Sequence, residues 1–192
     1  MARGLSPVCG IDEAGRGPLA GPVVAACVVL DPAAIPAGLA DSKKLSAAAR
    51  ARLLAELQEV AAIGIGQASA AEIDRLNIHH ATLLAMARAF AALPGPAPLY
   101  AYVDGKFAPD LPCRADAVVK GDAKVLSIAA ASIVAKVTRD RLMEELDAMH
   151  PGYGFASHKG YPVAAHRAAL VRLGPCAAHR KSYAPVRAVL PR

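Results

Sequence analysis

Tryptophan is absent from this 192-residue chain, and aromatic residues make up only 4% of it. Proteins that bind single-stranded nucleic acid by stacking need exposed aromatic rings, so that class of binder is disfavoured. The four cysteines, at positions 9, 27, 113 and 176, form no C-x-x-C pair. Their spacing indicates neither a zinc ribbon nor a dithiol redox motif, and we expect reduced thiols.

Long uncharged hydrophobic runs are also missing, since none approaches the roughly 20 residues of a membrane span. The first residues carry only Arg3 before a stretch that charged side chains interrupt, which argues against a signal peptide. We therefore expect a cytoplasmic protein with no membrane partner.

Acidic residues are outnumbered, 16 against 22 Lys and Arg, and the resulting net charge of +6 favours a polyanionic partner such as nucleic acid.

The length suits one domain with a substantial core. Apolar runs alternate with segments of helical periodicity, which predicts an α/β sheet whose site lies beyond the strand ends. We expect strands over 8–11, 23–30, 62–67, 99–104 and 117–119. The predicted helices cover 47–60, 70–93 with a break near Asn77, 123–149 and 162–173.

Acidic side chains recur where these predicted strands end or the long helix begins: Asp12, Glu13, Asp104 and Asp122. A lone acidic pair before a glycine-rich turn is more often solvated, and Asp122 alone could be a helix N-cap. If all four converge on one sheet edge, their mutual repulsion requires cations. Carboxylate oxygens select Mg²⁺ or Mn²⁺, and two such ions about 3.5–4 Å apart can hydrolyse a phosphodiester. The acids alone leave the substrate open.

The stretch from Gly10 to Val24, G-I-D-E-A-G-R-G-P-L-A-G-P-V-V, resembles the N-terminal motif of the bacterial ribonuclease HII family. Further strings resemble that family in the same order along nearly the whole chain: D-S-K-K-L from Asp41, D-A-K from Asp122, I-A-A-A-S-I-V-A-K-V-T-R-D from Ile128, G-F from Gly154, H-K-G-Y from His158 and H-R-K-S from His179. The resemblance implies a ribonuclease-H-like mixed central sheet flanked by helices. It also implies a catalytic domain over 1–150 and a small C-terminal helical segment over 151–192 that closes over the substrate.

The resemblance implies an endoribonuclease that hydrolyses the RNA strand of RNA–DNA hybrids and cuts 5′ of ribonucleotides embedded in duplex DNA. The products would carry 5′-phosphate and 3′-hydroxyl ends. Metal binding, by two divalent ions, and catalysis would fall to Asp12, Glu13, Asp104 and Asp122.

The same resemblance implies how the substrate is recognised. Backbone groups of Gly15, Arg16 and Gly17 would contact the 2′-OH and the neighbouring phosphate. The Tyr161 hydroxyl would reach the same 2′-OH, the group that distinguishes RNA from DNA. Two lysines would lie near the substrate or grip its phosphates: Lys43 and Lys159.

Two other functions stay open on the residues alone. Another ribonuclease-H-like nuclease, such as a junction resolvase, would not depend on a 2′-OH, and a non-catalytic nucleic-acid-binding protein would not require metal. Taken singly, Arg139 and Arg180 suit a solvated surface, and Pro162 suits the first position of a helix. The last five residues, 188–192, are too plain to indicate a motif for a replication clamp, and we expect a monomer.

Overall fold

The computed structural model describes residues 7–40 and 42–190 of the chain. Asp41, which begins the D-S-K-K-L string, and Pro191 and Arg192 at the C-terminus lie outside the described residues. Five strands form one mixed sheet: β1 (Val8–Ala14), β2 (Val23–Leu30), β3 (Ala61–Ala68), β4 (Tyr100–Asp104) and β5 (Arg114–Val118). Their order is β3-β2-β1-β4-β5, with β1, β2 and β3 antiparallel in turn and β4 and β5 parallel to β1.

Helices cover both faces of this sheet, which confirms the predicted architecture. The principal helices are α1 (Ala47–Val60), α2 (Ala70–Ala91) and α3 (Leu126–Met149). Alternate residues of β2 point to opposite faces, as strand geometry requires. Val23, Ala25 and Cys27 pack in the cluster with α2, whereas Ala26 and Val28 pack with α1 and α3. The run from 23 to 28 is apolar throughout because both of its faces are buried.

The local signals for the first two helices behave as predicted. The Ser46 hydroxyl accepts a hydrogen bond from the amide of Ala49 at the start of α1. Ser69 and Glu72 form a complete capping box at the start of α2. The predicted break lies at Asn77, whose φ of 65° interrupts the helical backbone, and its side chain accepts from the amides that follow.

Several boundaries differ from the prediction. Strand β1 continues to Ala14 instead of ending at Ile11, so Asp12 and Glu13 lie within it. Strand β5, at Arg114–Val118, starts three residues earlier than expected and ends one residue earlier. Helix α3 begins at Leu126 rather than near 123, because residues Gly121–Ala123 form a separate 3-10 turn. Pro162 precedes its helix instead of occupying the first position, since α5 covers Ala164–Leu173 with Val163 as N-cap.

The C-terminal segment contains α5 and two single turns, α4 (Phe155–His158) and α6 (Ala184–Arg187). It packs on the stretch that follows the first strand. Ala20 shares a hydrophobic cluster with Phe155 and Ala169, and Leu19 shares another with Leu170 and Val186. In the part of the chain covered by the structure, no helix is both long enough and apolar enough to span a membrane.

Candidate active site

The parallel pairing of β1 with β4 brings three acids to one edge of the sheet. Asp12 and Glu13 lie in the last three residues of β1, and Asp104 is the last residue of β4. Because the two strands run in the same direction, their carboxyl ends are neighbours. One carboxylate oxygen from each of the three acids lies within 4.8 Å of the other two. The edge therefore presents a cluster of hard oxygen donors.

The protein itself does little to neutralise this cluster. Asp12 is only 5% exposed, and burial, followed by the charges of Glu13 and Asp104, raises its pKa well above the usual value. Burial is also the main reason that the pKa of Glu13 is raised, although Arg16, whose Nη1 lies 3.4 Å from Glu13 Oε1, opposes the shift. A divalent cation would remove the repulsion among these acids, which adds to the effect of burial on the pKa of Asp12 and of Glu13. The donor set and its electrostatics fit such an ion.

Asp122 lies beside the cluster but outside the group of three. It belongs to the 3-10 turn that precedes α3, and its Oδ2 is 3.8 Å from Nζ of Lys43. The N-cap interpretation is wrong, because Val125 occupies that position. The turn is nevertheless fixed to the cluster, since the amide of Gly121 donates a 2.7 Å hydrogen bond to Asp104 Oδ1.

Tyr161 and the turn Gly15-Arg16-Gly17 line the same pocket as Asp12 and Glu13, a cavity of about 230 Å³. Gly17 lies close to the tyrosine ring, since a Cβ at this position would be 3.7 Å from Tyr161 Cε1. Gly15 has a φ of +97°, and a Cβ there would collide with the Arg139 side chain at 1.9 Å. Gly15 therefore allows a close approach that a larger residue would prevent, whereas a Cβ at Gly17 would make an ordinary van der Waals contact.

Two arginines that suited the surface in the sequence are instead buried behind this turn. Arg139 is 1% exposed and Arg180 is fully buried. Their guanidinium groups donate to backbone carbonyls and not to carboxylates. Arg180 holds Gly15, Arg16 and Gly21 at 2.6–3.0 Å, and Arg139 holds Ala20, Pro22 and Lys159 at 3.0–3.2 Å. Burial, together with the charge of Arg180, lowers the pKa of Arg139 to about 10, which leaves it cationic at neutral pH.

The two lysines differ in their surroundings. The Lys43 side chain is 83% exposed at the rim of the acid pocket. The Lys159 side chain is 18% exposed, and its Nζ donates to Glu144 Oε1 at 2.7 Å. Lys159 has a φ of 50° and serves as C-cap of α4.

Two serines that the sequence did not single out support the acids. Ser132 of α3 lies beside the Asp12 carboxylate and lowers its pKa against the larger effect of burial, and its Oγ lies 2.7 Å from that of Ser42. Ser42 belongs to the D-S-K-K-L string, so the resemblance offered a signal for it. Ser132 belongs to the I-A-A-A-S-I-V-A-K-V-T-R-D string, which offered the same signal, and the packing of α3 against β1 brings it to the site.

Comparison with known proteins yields one family. The sequence model described as Ribonuclease HII matches residues 9–186. A Ribonuclease HII of Parvibaculum lavamentivorans is 62% identical over 184 residues, which cover 95% of this chain and 68% of the relative. Among solved structures, ribonuclease H2 from Pyrococcus horikoshii aligns with a TM-score of 0.80 at 28% identity, covering 95% of this chain and 96% of that chain. RNase HII in the PCNA:RNase HII complex from Archaeoglobus fulgidus aligns with a TM-score of 0.75 at 29% identity, covering 90% of this chain and 93% of that chain.

Proposed function

Since this chain belongs to the ribonuclease HII family and is an RNase H hydrolase, we propose that it hydrolyses the RNA strand of RNA–DNA hybrids and cuts 5′ of ribonucleotides embedded in duplex DNA. One observation carries the proposal: Asp12 and Glu13, whose carboxylates lie within 4.8 Å of that of Asp104, line the pocket that also holds Tyr161 and the glycine-flanked arginine. Hydrolytic groups and groups suited to reading a 2′-OH thus lie within reach of one nucleotide.

We assign metal binding and catalysis to the acids Asp12, Glu13, Asp104 and Asp122. Three of them present oxygens within 4.8 Å of one another, and the Gly121–Asp104 hydrogen bond keeps the Asp122 turn beside them. Oxygen donors of this kind suit Mg²⁺ or Mn²⁺. Two such ions, when bound, supply an activated water and neutralise charge at the leaving oxygen, which gives 5′-phosphate and 3′-hydroxyl ends. Ser132 would keep the Asp12 carboxylate oriented for this task.

The recognition of RNA is proposed to rest on backbone amides of Gly15, Arg16 and Gly17 and on the hydroxyl of Tyr161. Arg180 draws the carbonyls of Gly15 and Arg16 inward, so the turn is held in one conformation before the substrate arrives. The 2′-OH both donates and accepts hydrogen bonds, and only RNA carries it. A deoxyribonucleotide at the same place would leave these partners unpaired.

We propose further that residues 1–150 form the catalytic part and that the C-terminal segment, 151–192, closes over the duplex. Support comes from the origin of the site residues, since the acids belong to the first part and Tyr161 to the second. Lys43 at the rim and Lys159, once released from Glu144, would contact backbone phosphates, which makes binding weaken as salt rises.

Four free cysteines suit the reducing cytoplasm, where we place the protein.

The test is cleavage of an RNA–DNA hybrid by the native chain, by Asp104→Asn and by Asp110→Asn, with Mg²⁺, with Mn²⁺ and with chelator. Asp110 is an exposed carboxylate six residues further along the chain, in the loop that follows β4, and is the matched control. We expect Asp104→Asn to lose about 10²–10³-fold in rate, the loss typical of removing one preorganised charged group from an active site, and Asp110→Asn to retain activity. Cleavage that survives chelator, or equal rates for the two variants, would remove the acids from the mechanism. Binding of the hybrid without any cleavage would favour a non-catalytic binding protein.

A further inference from the structure

Two buried histidines lie close behind Tyr161, and the acid cluster does not include them. His166 of α5 is fully buried and His179 is 1% exposed. Their Nε2 atoms are 3.2 Å apart, a hydrogen-bond distance. Two imidazole nitrogens can make that bond only if one carries a hydrogen and the other does not.

The surrounding contacts decide which nitrogen donates. His166 Nδ1 lies 2.9 Å from the carbonyl oxygen of Tyr161, and because a carbonyl only accepts, Nδ1 must carry the hydrogen. Nε2 of neutral His166 is then an acceptor, and Nε2 of His179 is the donor. Nδ1 of His179 is left as an acceptor, which matches the amide of Cys176 that donates to it at 3.0 Å. With both rings neutral, every ring nitrogen has a partner of the right kind.

This chain of hydrogen bonds connects the two elements proposed to read the ribonucleotide. At one end, His166 holds the backbone of Tyr161. At the other end, His179 forms a β-bridge with Ala20, and the next residue, Arg180, holds the carbonyls of Gly15 and Arg16. The bond between the two histidines therefore connects the segment of His179 and Arg180, which supports the Gly15–Gly17 turn, with His166, which supports Tyr161.

We propose that His166 and His179 are positioning residues that hold Tyr161 at a fixed place relative to the Gly15–Gly17 turn. The site then recognises the 2′-OH only while both imidazoles are neutral. This inference rests on the proposed function and adds to it a specificity determinant distant from the acids. If His166 takes up a proton, its new Nε2–H faces the Nε2–H of His179 and the link is lost. If His179 takes up a proton, the new hydrogen on Nδ1 faces the amide of Cys176, and the ring loses its contact with residue 176.

The surroundings of the pair keep it neutral at physiological pH. The ring of His158 stacks on His166 with centroids 4.4 Å apart, and Tyr153 packs at 5.0 Å from His179. Within residues 7–40 and 42–190, no carboxylate forms a hydrogen bond or ion pair with either ring. Burial is the main cause that lowers the pKa of both rings, and it brings the pKa of His179 to about 4. The charge of His158 also lowers the pKa of His166. The charges of His166 and His150 also lower the pKa of His179.

The first test is a double-mutant cycle on a DNA duplex that contains one ribonucleotide. Single variants are His166→Phe, which cannot hydrogen-bond, His166→Asn, whose amide can still donate to the Tyr161 carbonyl, and Tyr161→Ala. We expect His166→Phe to raise KM about tenfold with a smaller change in kcat, His166→Asn to recover part of that loss, and the His166→Phe, Tyr161→Ala double variant to be no worse than Tyr161→Ala alone.

The outcomes separate the inference from the function on which it rests. If Tyr161→Ala raises KM and His166→Phe multiplies that loss in the double variant, the histidine acts elsewhere and the inference is overturned while the proposed function stands. If Tyr161→Ala leaves KM and the preference for a ribonucleotide unchanged, the proposed role of the tyrosine fails, and the inference fails with it.

The second test uses pH and a variant that keeps the hydrogen-bond donor. His179→Gln retains an N–H that can donate to His166 but does not titrate. The ratio of affinities for the ribonucleotide duplex and the all-DNA duplex, measured by fluorescence anisotropy, should fall for the native chain as pH drops from about 6.5 towards 4. The ratio for His179→Gln should fall less. Identical pH profiles for the two proteins would contradict the inference.

Discussion

At the scale of single residues, Arg180 shows how this chain uses a buried charge. Its guanidinium donates to the backbone carbonyls of Gly15, Arg16 and Gly21, which lie 159 to 165 positions earlier in the sequence. The group therefore fixes a turn. A planar group with five donors in fixed directions suits this task better than an ammonium. The carbonyls of Gly15 and Arg16 are thereby oriented inward, which preorganises the turn that is proposed to meet the substrate.

Replacing Arg180 by Ala should therefore destabilise the whole protein. The variant leaves three buried carbonyls without their donor. Each unsatisfied buried group costs about 1–3 kcal/mol, so we expect the free energy of unfolding to fall by at least about 3 kcal/mol. Urea unfolding followed by circular dichroism measures it. Arg187→Ala, at an exposed position of α6, is the control and should change the free energy by less than about 0.5 kcal/mol. Equal stabilities for the two variants would contradict the buried role.

Residue-level features of this kind were the least predictable from sequence. The residues that flank Arg180 in H-R-K-S and Arg139 in V-T-R-D do not indicate whether either side chain is solvated or buried. Its partners are carbonyls, which every residue carries and no side-chain pattern reveals. His166 and Ser132 were missed for the same reason, since their partners lie on other elements.

At the scale of secondary structure, the parallel β1–β4 pair places the acids. The pattern of acids after apolar runs sufficed to predict that Asp12, Glu13 and Asp104 share an edge, because parallel neighbours end on the same side. The position of Asp122 could not be read in the same way. The predicted start of α3, near 123, is the last residue of a 3-10 turn, and two further residues precede the observed start at Leu126. Nothing in the local sequence distinguishes that turn from a first helical turn.

The packing of α3 against β1 depends on Gly10. A Cβ at this position would lie 2.2 Å from the Ser127 carbonyl carbon and 2.3 Å from the Ile128 amide nitrogen, and backbone atoms cannot move aside as a side-chain end can. We expect Gly10→Ala to cost about 1–3 kcal/mol in the free energy of unfolding, measured by urea denaturation. It should also weaken activity, because α3 carries Ser132.

A matched control is Gln67→Ala, at an exposed position of β3 in the same sheet. Its unfolding free energy should stay within about 0.5 kcal/mol of that of the native chain. A Gly10→Ala variant as stable as Gln67→Ala would mean that α3 does not approach the strand as closely as the structure places it.

At the scale of the whole molecule, the two ends of the chain form one supporting unit. The amide of Leu19 donates to Gly160 and that of Arg180 donates to Leu19, while Arg139 bridges Lys159 to the stretch after the first strand. The order of elements and the two-sided sheet followed from hydrophobic periodicity. This return of the C-terminal segment to residues 15–22 did not, because long-range pairing leaves no local pattern, and only the family resemblance pointed to it.

The central claim is that this arrangement lets one pocket combine hydrolysis with recognition of a 2′-OH. Its most direct test is the mapping of cut sites, at single-nucleotide resolution and with Mg²⁺ or Mn²⁺, in a DNA duplex containing one ribonucleotide and in the same duplex made entirely of DNA. We predict a single cut on the 5′ side of the ribonucleotide, leaving a 5′-phosphate, and an intact all-DNA duplex. Equal cleavage of both duplexes would contradict the account, because the acids would then act without any reading of the sugar.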